Sequence, residues 1–133
     1  SDEPTVTGWQ YIENDTDSES IDLRVIPKHI RVYEISGPLF FGVADKILDI
    51  KLKDFTSALI LRMRAVPAVD ATAMNQIEAL YEKCKNKGVT LILSHVNPQP
   101  LETMKKSGFY DKVGEENFCK NIDAALERAK NFK

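Results

Sequence analysis

The sequence predicts an α/β domain with a mainly parallel sheet, opened by an antiparallel hairpin. Three observations carry that expectation. Two nearly continuous apolar runs, Ser57 to Met63 (SALILRM) and Val89 to Ser94 (VTLILS), are short enough for strands and have no wet face. Between them lies a long amphipathic stretch, and strands that alternate with helices imply parallel pairing through right-handed crossovers. Ahead of them, Ile21, Leu23 and Val25 alternate with Asp22 and Arg24, and a second strand pattern follows closely at Ile30 to Ser36 (IRVYEIS). Such short spacing makes the two segments antiparallel neighbours.

The elements follow in order. Residues 1–20 are polar and read as a linker, with Val6 to Ile12 as a short strand or tether. The run Asn14 to Ser20 is acidic and rich in turn formers. Pro27, Lys28 and His29 supply the hairpin turn, and Gly37 and Pro38 end the second strand. Leu39-Phe40-Phe41-Gly42 leads into a helical stretch reaching about Asp54, with Ala44, Ile47 and Leu48 on one face. After the first apolar run, Pro67 breaks the chain and Asp70 precedes the strongest helix. Its Ile77, Leu80, Tyr81 and Cys84 share a face, and Gly88 stops it. Past the second apolar run, Pro98 and Pro100 open a short helix carrying Leu101 and Met104, which Gly108 closes. Phe109 to Val113 is expected as a short edge strand. Asn121 caps a last helix whose Ile122, Ala125, Leu126 and Ala129 share a face.

Composition narrows the function. The chain has 133 residues, 43% of them apolar and 29% charged, which suits one globular domain. No apolar run approaches the ~18 residues of a membrane span, and no secretory signal is visible. Lysine plus arginine number 18 against 20 acidic residues, a net charge of −2, so a nucleic-acid partner has no electrostatic support. Cys84 and Cys119 lie far apart and read as core or near-core thiols. His29 and His95 have no metal-ligand spacing around them, so neither a metal nor a cofactor is expected. The six glycines form neither GxGxxG nor GxxxxGK, and no G-x-S-x-G is present, so a P-loop enzyme is not expected. A triad assembled in space around His29 or His95 stays open, though a hairpin turn and a strand end are poor places for one, and no enzyme activity is expected. The start at Ser1, not Met, fits a piece of a larger protein.

Two segments carry the candidate contacts. Val66-Pro67-Ala68-Val69-Asp70-Ala71-Thr72-Ala73 is a strand end, a loop and a helix start. Asp70 suits the cap of that helix and the positive end of its dipole. The same helix start could receive an external anion through free N–H groups and the Thr72 hydroxyl, although a capping carboxylate repels one. The small Ala71 and Ala73 would leave the surface open to another protein. Arg62 and Arg64 lie just upstream; a charge in an apolar strand needs a partner, either Asp70 or another carboxylate, with phosphate as the alternative. Pro38, Leu39, Phe40 and Phe41 form the second segment. Consecutive large apolar residues in a loop cannot all face one core unless the backbone turns, and an exposed ring marks a contact surface.

Taken together these residues resemble the STAS domain, shared by bacterial anti-sigma-factor antagonists and the C-terminal cytoplasmic region of SulP-type sulfate and anion transporters. The resemblance covers about residue 21 to the end. It rests on four ordered segments: Ile35-Ser36-Gly37-Pro38-Leu39-Phe40-Phe41-Gly42, Val66 to Ala73, Gly88 to Ser94, and Met104-Lys105-Lys106-Ser107-Gly108-Phe109. The first is similar to the G-P-L-F-F of the transporter branch, and the last to an L-x-x-S-G-F. The resemblance implies a sheet of about four strands packed by about four helices. It implies a regulatory binding module over 21–133, docked to the membrane domain of the same transporter chain or to a cytosolic protein at the cytoplasmic face of a bacterial inner membrane. The membrane-spanning part would then precede Ser1. Docking would use Pro67, Asp70, Ala71, Thr72 and Ala73 together with Pro38 to Phe41.

In the antagonist branch the loop reads Asp-Ser-Ser-Gly and its first serine is phosphorylated. Here Ala71 holds that position and has no hydroxyl, Thr72 follows, and Ala73 replaces the glycine. The alternatives are therefore a free-standing switch with Thr72 as acceptor, or a module binding a nucleotide or anion weakly at the Thr72 helix start.

Overall fold

The structure, a computed structural model, describes residues 5–6, 21, 24–37, 47 and 50–132. Five strands appear in it: β1 (Thr5–Val6), β2 (Ile30–Ser36), β3 (Ala58–Ala65), β4 (Thr90–Ser94) and β5 (Phe118–Cys119). Four helices accompany them: α1 (Ala71–Asn86), α2 (Pro98–Lys106), α3 (Phe109–Val113) and α4 (Ile122–Ala129). The strands lie in the order β1-β2-β3-β4-β5, and every neighbouring pair is parallel.

The apolar runs became central strands because both faces of the sheet are covered. On one face Leu59, Leu61 and Met63 of β3 join Leu91 and Leu93 of β4. There they pack against Met74, Ile77, Leu80 and Cys84 of α1, Met104 of α2, and Phe109 and Val113 of α3. On the other face Ala58, Ile60 and Ile92 meet Ile122, Ala125, Leu126 and Ala129 of α4. The α1 face repeats at three and four residues, as one side of a helix must. Asp70 caps α1 by accepting the Ala73 N–H at 2.8 Å, and Asn121 caps α4 by accepting the Ala124 N–H at 2.8 Å. At the other end of α1, Gly88 takes φ +72°, the left-handed turn that lets the chain leave the helix for β4.

Three expectations fail in the described residues. The opening hairpin is absent. Ile21 is buried beside α4, and the Arg24 N–H donates to its carbonyl at 3.0 Å, so these backbone groups close a turn and build no ladder. Val25, the third residue of the alternation, is 92% exposed. β2 instead pairs on that side with β1, in parallel register from Thr5 opposite Tyr33.

The second failure is Phe109 to Val113, which is helical. Phe109 and Val113 are buried four residues apart, a spacing that an α-turn and a strand both satisfy. Gly108 at φ +86° decides it, turning the chain directly from α2 into α3. The edge strand lies later, at Phe118–Cys119.

The third is the last part of the helix expected up to about Asp54; residues 43–46, 48 and 49, where most of it would run, lie outside the described residues. Residues 50–53 have no regular structure, and Asp54 and Phe55 form a turn closed by the Thr56 N–H donating to the Lys53 carbonyl at 2.9 Å. Ile47 and Ile50 are nevertheless buried in the larger core. Pro38, Leu39, Phe40, Phe41, Ala44 and Leu48 lie outside the described residues.

Candidate functional site

The candidate loop leaves β3 at its carboxyl end, where α/β sheets present their functional loops. Val66 and Val69 point inward and are buried, which leaves Pro67 exposed between them. Asp70 is half-buried and occupied by its capping bond. Ala71 and Thr72 are exposed on the first turn of α1. Ala73 is not: it is fully buried in the larger core, so its small size serves packing against the sheet and cannot open the surface. Pro67, Ala71 and Thr72 are thus the outward residues of the expected set, with Asp70 behind them.

Sequence reading missed what holds this loop. Asn97 and Gln99, at the start of α2, grip it by hydrogen bonds to its backbone. The Asn97 side-chain amide donates to the carbonyls of Val66 at 2.9 Å, Arg64 at 3.2 Å and Met63 at 3.4 Å. Gln99 accepts the Val69 N–H at 2.8 Å and donates back to the Val69 carbonyl at 3.0 Å. A loop whose carbonyls are satisfied by fixed side chains is pre-shaped for contact. The signal lay in Asn97-Pro98-Gln99-Pro100, where two amide side chains alternate with prolines just after a strand. Beside the loop, α1 and α2 border a shallow cleft of about 310 Å³ lined by Ala71, Met74, Asn75, Glu78, Thr103 and Lys106, among others.

The arginines are placed elsewhere. For Arg62 the partner found is another carboxylate. Arg62 is 1% exposed and pairs with the buried Glu34 on β2, Nη1 to Oε1 at 3.4 Å. Arg64 donates to the other carboxylate oxygen of Glu34 at 3.1 Å. Glu34, Arg62 and Ser94 are register partners across β2, β3 and β4, so the polar row crosses the sheet on the α4 face. An external phosphate at Arg62 would have to compete with this buried carboxylate, which pairs with two guanidinium groups. Nearby, Arg24 grips Asp123 in the first turn of α4 through two bonds of 3.0 and 2.9 Å. That hydrogen bond, with the charges of Arg24 and Arg62, holds the Asp123 carboxyl below its ordinary value.

Both cysteines are free thiols. Burial pushes Cys84 up to about 12, against a smaller opposing effect from Lys83, and burial raises half-buried Cys119 as well. Among the described residues, no group of three His, Cys, Asp or Glu side chains is gathered to hold a metal, and no helix is long and apolar enough to cross a membrane.

Fold and site together define a small parallel α/β domain that presents a braced strand-end loop and an exposed helix start. The family model of the STAS domain matches residues 20–125, and the chain belongs to that family. Among solved structures it is similar to a sulfate transporter family protein from Wolinella succinogenes, 38% identical, with a TM-score of 0.79 over 86% of this chain and 96% of that one. It is also similar to the STAS domain of a SulP transporter from Vibrio cholerae, 27% identical, with a TM-score of 0.68 over 80% of this chain and 85% of that one. Among curated proteins it is 29% identical over 97 residues to a putative sulfate transporter of Bacillus subtilis, covering 71% of this chain and 18% of that protein. It is 25% identical over 114 residues to a probable sulfate transporter of Arabidopsis thaliana, covering 74% of this chain and 17% of that protein. The chain therefore spans less than a fifth of the length of these curated relatives.

Proposed function

We propose that this chain is the regulatory domain of a SulP-type sulfate or anion transporter, held at the cytoplasmic face of a bacterial inner membrane. It works without chemistry of its own, by docking on the membrane domain of the same transporter or on a cytosolic protein. One observation carries the reading: the curated relatives are transporters by name, and the match occupies only 17–18% of their length. Two solved relatives of bacterial origin support the bacterial setting.

Within this reading the contact surface is Pro67, Ala71 and Thr72, shaped from behind by Asp70, Asn97 and Gln99. Pro38 to Phe41, which lie outside the described residues, are kept as a second docking segment. A pre-shaped loop loses little freedom on docking, which favours association. The smallness of Ala71 matters most here, because a partner backbone can approach the first turn of α1 closely.

The test uses the full-length transporter that carries this domain. Ala71→Arg and Thr72→Arg add bulk at exposed sites and leave the melting temperature of the domain within about 2 °C. Radiolabelled sulfate uptake by such variants is expected to fall at least five-fold at unchanged membrane abundance. Uptake equal to wild type in both would overturn the docking surface. Uptake unaffected by removal of residues 21–133 would overturn the regulatory role itself. Stoichiometric phosphate on Thr72 in cells would favour the switch reading.

A further inference from the structure

At the outer edge of the sheet the chain does something costly. After β4 ends at Ser94, His95 takes φ +56°, the one positive φ of a non-glycine residue among the described residues. A side chain in the left-handed region is disfavoured, and such residues persist where the surroundings impose them. The His95 N–H is tied to the Cys119 carbonyl of β5 at 2.8 Å, which fixes this conformation at the carboxyl ends of two parallel strands. The exposed imidazole borders a cleft of about 330 Å³.

The walls of the cleft divide by chemistry. Val96, Leu101, Tyr110 and Phe118 form an apolar side, with the Tyr110 and Phe118 ring centroids 4.6 Å apart. His95 and Lys120 supply the basic side, and among the described residues no carboxylate lines the cleft. Lys105 lies over the Tyr110 ring at 5.0 Å, adding a second ammonium group next to it. The volume is at the small end of ligand pockets, roughly 300 to 1,000 Å³.

We propose that this cleft binds a small organic anion: one carboxylate or phosphate group on a flat apolar body about the size of a benzene ring. The anionic group sits between Lys120 and His95, and the body lies against Tyr110 and Phe118. A bare inorganic anion gains only the basic side, and a neutral aromatic only the apolar one. The cleft shares no residue with the loop at 67–73, so its occupancy and the docking reading stand or fall separately.

Titration of the 133-residue chain, followed by ¹⁵N–¹H chemical shifts, tests this. The probes are benzoate, phenyl phosphate, benzamide and inorganic sulfate. Benzoate or phenyl phosphate is expected to shift the amides of His95, Tyr110, Cys119 and Lys120 saturably, and whichever binds tighter identifies the anionic group. Benzamide and sulfate are each expected to bind at least about five-fold more weakly, as loss of one partly exposed charge contact or of ring burial implies. Lys120→Ala is expected to weaken the better acid about five-fold. His95→Gly is expected to weaken it similarly while the melting temperature holds or rises, since glycine accepts the positive φ. Absence of saturable shifts at these four amides up to 20 mM would overturn the proposal. So would benzamide or sulfate binding as well as the better acid, or either variant binding it like wild type.

Discussion

Asp70 shows how one residue serves the fold and the surface together. Its carboxylate caps α1, which spends the charge on the helix and fixes Ala71 and Thr72 in the first turn. Asp70→Ala is expected to cost about 1 kcal/mol through the lost cap, lowering the melting temperature by about 4 °C in a thermal scan. An unchanged melting temperature would show that the cap carries no stability. Asp123 gives the matching pH dependence. Its folded value lies below the ordinary 3.8 because Arg24 binds the ionised form. A depressed carboxyl contributes stability above the unfolded value and loses it as pH falls through the folded one. Asp123→Asn is therefore expected to be less stable than wild type near neutral pH, with the difference in melting temperature vanishing as pH falls through the lowered folded value. Glu34 was legible as polar but not as a partner. Nothing in IRVYEIS shows that Arg62, 28 residues later, becomes its register neighbour.

At the scale of elements, the strong patterns were legible and the ambiguous ones were decided by neighbours. β3, β4, α1 and α4 follow their runs because long periodicity and a cap agree. Phe109 to Val113 satisfied two periods at once, and Gly108 and the core chose the helix. In α3, Phe109 packs edge-on against Tyr81 at 6.0 Å and Phe118 at 6.4 Å, so it ties α1, α3 and β5 together. Phe109→Ala is expected to destabilise by about 3–5 kcal/mol, measured by urea unfolding. A loss below 1 kcal/mol would mean that the edge of the domain packs independently of the centre. The Ile21 alternation misled for the opposite reason. An alternating segment makes a strand only where an edge of the sheet accepts it, and β1 holds that edge.

For the whole molecule, the two cores share one sheet, with α1, α2 and α3 on one side and α4 on the other. Cys84 is fully buried between α1 and the sheet, so its thiol reports opening of the main core. In native buffer, an alkylating reagent is expected to modify half-buried Cys119 faster than Cys84, which reacts in proportion to the globally unfolded population. Asp70→Ala is then expected to speed Cys84 modification about five-fold, matching a loss of about 1 kcal/mol. Equal rates for both thiols would show that α1 opens locally.

Sequence by itself determined the α/β class, the two central strands, the caps of α1 and α4, and the family, because each depends on local periodicity or on short ordered motifs. Tertiary structure alone decided that the described strands are all parallel, that Arg62 meets Glu34, that Ala73 is core, and that Asn97 and Gln99 brace the candidate loop. Those contacts join residues about 30 positions apart, and nothing local in the chain encodes which distant backbone will satisfy a given amide or charge.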